Sequence, residues 1–159
     1  MKTIKARLVR KTALSRDTSD FLFEAVEGRF LGLEPGAHVD IHLGPDLVRQ
    51  YSLWSWSQDG RTLNVGVKRE DAGRGGSVAM HALQEAAEVE IGGPRNHFKL
   101  QSDDCYVTLI AGGIGATPLV AMARELLNSD RDFQVYYLVR SREFAAMDAK
   151  FRALGLDQW

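Results

Sequence analysis

Apolar and polar positions alternate with a period of two through most of the chain up to Pro94. Ile4 to Leu14 is a loose alternation. Asp20 to Val26 is a clearer one, with Phe21, Phe23 and Ala25 on one face and Leu22, Glu24 and Val26 on the other. His38 to Leu43 sets Val39, Ile41 and Leu43 against His38, Asp40 and His42. Leu47 to Trp56 is aromatic-rich, Thr62 to Lys68 turns Leu63, Val65 and Val67 inward, and Ala87 to Ile91 is a sixth short run. Such runs read as half-buried strands. Their separators are turn-formers: Gly28, Pro35-Gly36, Gly44-Pro45, Asp59-Gly60, Gly73 to Gly76 and Gly92-Gly93-Pro94. Many short strands with frequent turns predict a closed antiparallel barrel. Between the fifth and sixth runs, Ser77 to Leu83 predicts a short helix with Ser77 as its N-cap.

After Pro94 the pattern changes. Tyr106 to Ala111 is a continuous apolar run that ends in a glycine turn, Gly112 to Pro118. A helix is predicted from Pro118 to about Asn128, since proline suits a first turn. Phe133 to Val139 is a second apolar strand, and Glu143 to Leu154 a second helical stretch. Strand, glycine turn, helix, strand, helix is the opening of a parallel α/β sheet. The polar stretch 99–104 places the boundary, with a barrel over 1–99 and an α/β unit over 105–159. Doubly wound nucleotide domains need about five strands, so the second unit is expected to be incomplete. Its open edge at Phe133 to Val139 predicts self-association.

Composition narrows the function classes. The 159 residues are 45% hydrophobic and 26% charged, within the ordinary globular range. A formal net charge of −1 lacks the basic excess with which nucleic-acid binders neutralise phosphates. The start alternates charge with apolar residues, so no signal peptide is expected, and no apolar run is long enough for a membrane span. One cysteine, Cys105, supports neither an internal disulfide nor a multi-cysteine metal site. These features predict a cytoplasmic protein.

Three stretches carry candidate chemistry. In Arg49-Gln50-Tyr51-Ser52-Leu53, alternation puts Arg49, Tyr51 and Leu53 on one face and Ser52 on the other. A cation and an aromatic together suit a phosphate beside a ring system, as they also suit an ordinary aromatic strand. In Gly73-Arg74-Gly75-Gly76-Ser77, glycines let backbone N–H groups converge on an anion at the start of a helix. Arg49, Lys68 and Arg74 are available to neutralise it. The third stretch, Ala111 to Pro118, allows close approach at a strand end, where open α/β sheets bind nucleotides. It meets neither the dinucleotide fingerprint nor the P-loop pattern. His38 and His42 share a strand face but stand ~13 Å apart at strand rise, too far for one metal. His81 and His97 read as surface or core histidines, Trp54 and Trp56 as barrel-surface filling or as a cover for a bound ligand. Ser52 and Ser77 lack the partners of a nucleophilic triad.

Four motifs in order, Arg49-Gln-Tyr-Ser52, Gly73-Arg-Gly-Gly-Ser77, Pro94-Arg-Asn-His-Phe98 and Leu109 to Pro118, resemble the ferredoxin-reductase superfamily. Within it the resemblance is to the reductase component of phthalate- and vanillate-type oxygenase systems. It implies a six-stranded antiparallel flavin barrel, then an NADH-binding parallel α/β domain, then a plant-type [2Fe–2S] domain. It also implies that Arg49, Tyr51 and Ser52 hold the flavin ring and ribityl phosphate. Gly66, Val67 and Lys68 would line the flavin; Arg74, Gly75, Gly76 and Ser77 would bind its phosphate. Gly112 and Gly113 would bind cofactor at the glycine turn, and Thr117 would approach the ring where nicotinamide docks. Thr117 and Ser52 are the candidate catalytic residues. FMN is expected rather than FAD, because the short Gly73–Ser77 loop suits a terminal phosphate.

The activity implied is transfer of hydride from NADH to flavin, with electrons passed to an iron–sulfur domain or ferredoxin and on to a terminal oxygenase. The expected partners include neither nucleic acid nor membrane. The cluster domain needs four spaced cysteines, so no iron–sulfur cluster is expected on this polypeptide, and with the later strands of the NADH domain missing, crippled pyridine-nucleotide binding is expected. The alternatives are a non-catalytic flavin-holding remnant and a plain β-barrel binding module.

Overall fold

The computed structural model describes residues 3–101 and 106–156. Among them, six strands close a barrel: β1 (Thr3–Ala13), β2 (Thr18–Ala25), β3 (His38–His42), β4 (Val48–Trp56), β5 (Thr62–Lys68) and β6 (Glu88–Arg95). Their order around the barrel is β1-β2-β5-β4-β3-β6, every pairing antiparallel. Closure leaves no free edge, and the inward faces form one dry core around Leu8, Phe21, Phe23, Val39, Ile41, Leu53, Leu63, Val65 and Ile91. A seven-residue helix, α1 (Gly76–Ala82), adds Met80 to that core. Lys11 Nζ secures the end of α1 by donating to the carbonyls of His81 (2.9 Å) and Leu83 (3.1 Å).

The chain then forms two parallel strands, β7 (Val107–Gly112) and β8 (Phe133–Leu138), in register from Val107↔Phe133 to Gly112↔Leu138. A 3₁₀ turn over Gly113–Ala116 leads into α2 (Thr117–Asn128), with Pro118 in its first turn as expected. A short α3 (Asp148–Arg152) follows. The inner face of this sheet packs with α2, α3 and Trp54 in a second core that includes Leu109, Ala111, Leu126, Met147 and Phe151. The second half of the boundary read at 99–104 lies outside the described residues, as does Cys105.

Four local readings need correction. Gly92-Gly93-Pro94 is not a turn between elements but part of β6, which runs on to pair Arg95 with His38 across a register shift. Ser77 is not the N-cap of α1. Gly75 holds that position at φ 77°, and the Ser77 hydroxyl instead accepts from Glu70 N (2.9 Å). The stretch 143–154 is not one helix but a 3₁₀ turn (Arg142–Phe144) and then α3, broken at Ala145. Finally, Trp54 is not barrel-surface filling. Alternation from the inward Leu53 turns its indole out of the barrel, where it is 8% exposed and joins the second core. The register shift between Leu53 and Ser55 brings Trp56 back against the barrel core, so Trp54 fills the seam between the units.

Candidate functional site

β4 carries Arg49 to the mouth of the Gly73–Ser77 loop. Arg49 Nη2 donates to the carbonyl of Arg74 at 2.6 Å, and Nη1 to Val48 O at 2.8 Å. A Cβ built on Gly76 would fall 2.4 Å from Arg49 Cγ and 2.5 Å from its Nε. Only glycine allows this arginine to lie along the first turn of α1, whose amides have no intrahelical carbonyl to bond. Two stretches well apart in sequence therefore meet as one cationic, amide-rich corner. Such a corner suits a phosphate. Arg74 contributes its carbonyl to this corner.

Lys68 behaves differently. Its Nζ is paired with Glu70 and lies 3.8 Å from Asp17, so two carboxylates hold it. Ser77, through Glu70, ties that loop to α1. Val67 points into the barrel core at 2% exposure, and its carbonyl accepts from His81 Nε2 at 2.9 Å. Ligand contact at Val67 can therefore come only through backbone.

Tyr51 and Ser52 are half-buried further along β4. Burial pushes the Tyr51 phenol up to about 12, so it remains a protonated donor throughout the physiological range. Ser52 pairs with His38 of β3, whose ring packs against His97 with centroids 5.6 Å apart. Beside them Arg95 Nη2 bonds Asp40 Oδ1 at 2.6 Å. That hydrogen bond holds the Asp40 carboxyl below the usual carboxylate range. Burial, with the nearby Arg95 and His97 charges, lowers His38. The Pro94–Phe98 motif is thus brought to the strand pair that carries Ser52.

Gly66 marks where the barrel meets the α/β unit. A Cβ there would stand 2.6 Å from Met147 Cε and 3.6 Å from Thr117 Oγ1. Thr117 is 3% exposed, and its hydroxyl donates to Ile114 O at 2.7 Å. Gly112 and Gly113 line a cavity of about 500 Å³ that opens at the carboxyl ends of β7 and β8, with Lys68, Glu70, Ile114 and Arg140 also on its wall. Strand carboxyl ends are where open α/β sheets take nucleotides. Gly66, Thr117, Gly112, Gly113 and Lys68 therefore gather where the barrel meets the α/β unit, Lys68 paired with its carboxylates on the cavity wall, while Val67 faces the core.

Residues missed in the sequence sit at the same seam. Asp20, 3% exposed, accepts from Trp54 Nε1 (2.8 Å) and Asn64 Nδ2 (2.9 Å). Met147 closes over Gly66. The signal in the sequence was weak, since Asp20 shares the outward face of β2 with Glu24 and nothing local marks which of the two is buried. Among the described residues, no three His, Cys, Asp or Glu side chains gather to hold a metal, and no helix is long and apolar enough to cross a membrane.

Comparison with known proteins adds to this geometry. Residues 5–100 match the family described as oxidoreductase FAD-binding domain. The vanillate O-demethylase oxidoreductase of Pseudomonas putida is 38% identical over 150 residues, covering 94% of this chain and 47% of that protein. The phthalate dioxygenase reductase of Burkholderia cepacia is 35% identical over 159 residues, covering 98% of this chain and 48% of that one. A solved phthalate dioxygenase reductase, described as a modular structure for electron transfer from pyridine nucleotides to [2Fe–2S], superposes with a TM-score of 0.88 at 33% identity. That superposition covers 99% of this chain and 49% of the other. The chain spans about half the length of these relatives.

Proposed function

Because the chain belongs to the oxidoreductase FAD-binding domain family, we propose that it is the flavin-holding part of an NADH-dependent reductase that serves an oxygenase. The observation that carries this reading is the contact of Arg49 with the Gly75-Gly76 turn, a cradle that a single Cβ at Gly76 would fill. Arg49, Arg74 and the amides of Gly75 to Ser77 take the flavin phosphate. Tyr51 and Ser52 take the ribityl chain and ring, with Gly66 to Lys68 flanking them. The short Gly73–Ser77 loop with Arg49 beside it suits a terminal phosphate, which supports FMN rather than the FAD named by the family description. Residues 1–99 form the flavin barrel, and 105–159 supply the first part of the NADH-binding unit.

When bound, a flavin accepts a hydride from NADH and releases the electrons singly. The chain's own residues orient and shield. Tyr51 stays protonated and donates a hydrogen bond without exchanging its proton. Gly112 and Gly113 admit the nucleotide along the β7 end, and Thr117 braces the turn through Ile114 O so that nicotinamide meets the flavin near Gly66. Onward electrons go to an iron–sulfur domain or ferredoxin and a terminal oxygenase, as the relatives' names suggest. We place this chemistry in the cytoplasm.

Titration with FMN and FAD, followed by anaerobic NADH, tests the reading through flavin absorbance. One-to-one FMN binding, tighter than FAD, with bleaching by NADH is the expected result. FMN binding without bleaching reduces the chain to a flavin holder, and a folded protein that binds no flavin overturns the reading.

A further inference from the structure

On the outer wall of the barrel, three strands converge on one buried carboxylate. Asp20 of β2 accepts from Trp54 Nε1 of β4 and from Asn64 Nδ2 of β5, one bond to each oxygen. Asp20 is directly opposite Gly66 in the β2–β5 register, and Asn64 lies two residues before Gly66 on the same outward face. Trp54 in turn receives the α/β unit. Arg124 of α2 reaches its carbonyl at 3.4 Å, and Lys150 beside α2 in α3 lies 4.3 Å from the centre of its ring. Met147 and Thr117 press on Gly66 beside this cluster.

We propose that Asp20 is a positioning residue: through Trp54 it fixes how α2 and α3 dock on the barrel, and so holds Thr117 and Met147 at Gly66. This rests on the reading above only insofar as Gly66 and Thr117 flank the flavin. A buried carboxylate without a contacting cation is a costly choice for packing alone. What it offers is direction. Two acceptor oxygens at fixed spacing orient an indole N–H and an amide together, which an apolar side chain cannot do. Trp54 stands on the outer face of β4 just before the register shift at Ser55, and among the described residues its indole N–H bonds this oxygen. The charges facing Asp20 are Lys150 from α3 and Arg10 from β1, both acting at a distance, with Arg124 of α2 on the Trp54 carbonyl. Burial pushes the Asp20 carboxyl above its usual range, and the bonds from Trp54 and Asn64 pull it back. The hydrogen bonds, rather than an ion pair, therefore keep it seated.

The test compares Asp20→Ala, Asp20→Asn and Trp54→Phe in the full chain. Asparagine can accept from Trp54 and donate to a flipped Asn64, so Asp20→Asn retains the geometry without the charge. Trp54→Phe keeps an aromatic ring against Lys150 and removes the N–H together with part of the indole's volume, so its effect is read beside that of Asp20→Ala, which leaves the indole whole. Amide exchange across residues 117–128 is expected to rise about tenfold in Asp20→Ala and Trp54→Phe, with the barrel strands unchanged. The limiting rate of NADH-driven flavin bleaching should fall about tenfold in the same two variants. Reduction of the bound flavin by dithionite should be equal in all, and Asp20→Asn should restore both affected readouts. Wild-type exchange and bleaching in Asp20→Ala and Trp54→Phe would overturn the proposal, as would damage in Asp20→Asn equal to that in Asp20→Ala. If NADH fails to bleach the wild-type protein, the reductase reading fails instead. The exchange comparison then decides the role of Asp20 by itself, with faster exchange in α2 supporting it and unchanged exchange overturning it.

Discussion

The barrel and the α/β unit solve the same problem unequally. Six strands closed on themselves satisfy every edge and enclose a core in which Phe21, Phe23, Leu53 and Ile91 are fully buried. The two-stranded sheet buries one face against α2 and leaves the other open, with Ile110 68%, Tyr136 48% and Leu138 60% exposed. Parallel sheets are ordinarily covered on both faces. The α/β unit therefore completes its core with a residue of the barrel wall, Trp54, whereas the barrel's own core contains no residue of the second unit. Flavin holding is assigned to the self-sufficient region, and the nucleotide side to the dependent one.

Substitutions can break or sharpen that contrast. The largest effect is expected from Phe23→Ala, which empties the barrel core. A loss of about 3–5 kcal/mol should unfold both regions together in a urea melt, with flavin binding lost at the same midpoint. Leu126→Ala in the second core should cost about 2–5 kcal/mol locally. Flavin affinity should then survive at urea concentrations where α2 amides already exchange freely. Gly76→Ala should act on ligand rather than fold. Displacing Arg49 removes a charge-assisted contact of about 1.5–3 kcal/mol, read as weaker FMN binding with little change in the melt. The smallest effect is expected at Leu138→Lys, within about 0.5 kcal/mol, since that side chain already stands in solvent.

The two buried aspartates extend the comparison to pH. Asp20 is raised above 3.8 by burial, so the folded state binds more protons than the unfolded chain and stability falls as pH rises through that window. Asp40 is lowered by its Arg95 hydrogen bond, so its stabilisation is present above 3.8 and is lost as pH falls through the folded value. Melts at pH 4 and pH 7 should show Asp20→Asn gaining relative to wild type at the higher pH, whereas Asp40→Asn should lose there.

The strands and the glycine turn were legible because alternation and apolar runs record burial directly. β2, β3 and β5 came through nearly to the residue, and α2 began where Pro118 suggested. Legibility failed wherever an irregularity decided the outcome. The burial of Trp54 depends on what packs outside the barrel, which no local pattern encodes. The run of β6 through Gly92 to Arg95 looked like a turn because glycine and proline mark turns and bulges alike. At the site, the contact of Arg49 with the glycine loop was foreseen from residue chemistry. Capture of Lys68 by Asp17 and Glu70 was not, since strand spacing says nothing about which charges meet across a loop.

The most direct measurement of the central claim, a flavin held by its phosphate at Arg49 and the Gly75-Gly76 turn, is the affinity of FMN against riboflavin in wild type and Arg49→Ala. Wild type should prefer FMN by about tenfold or more, and the variant should erase that preference by weakening FMN alone. Equal affinity for the two flavins in the wild-type protein would contradict the account.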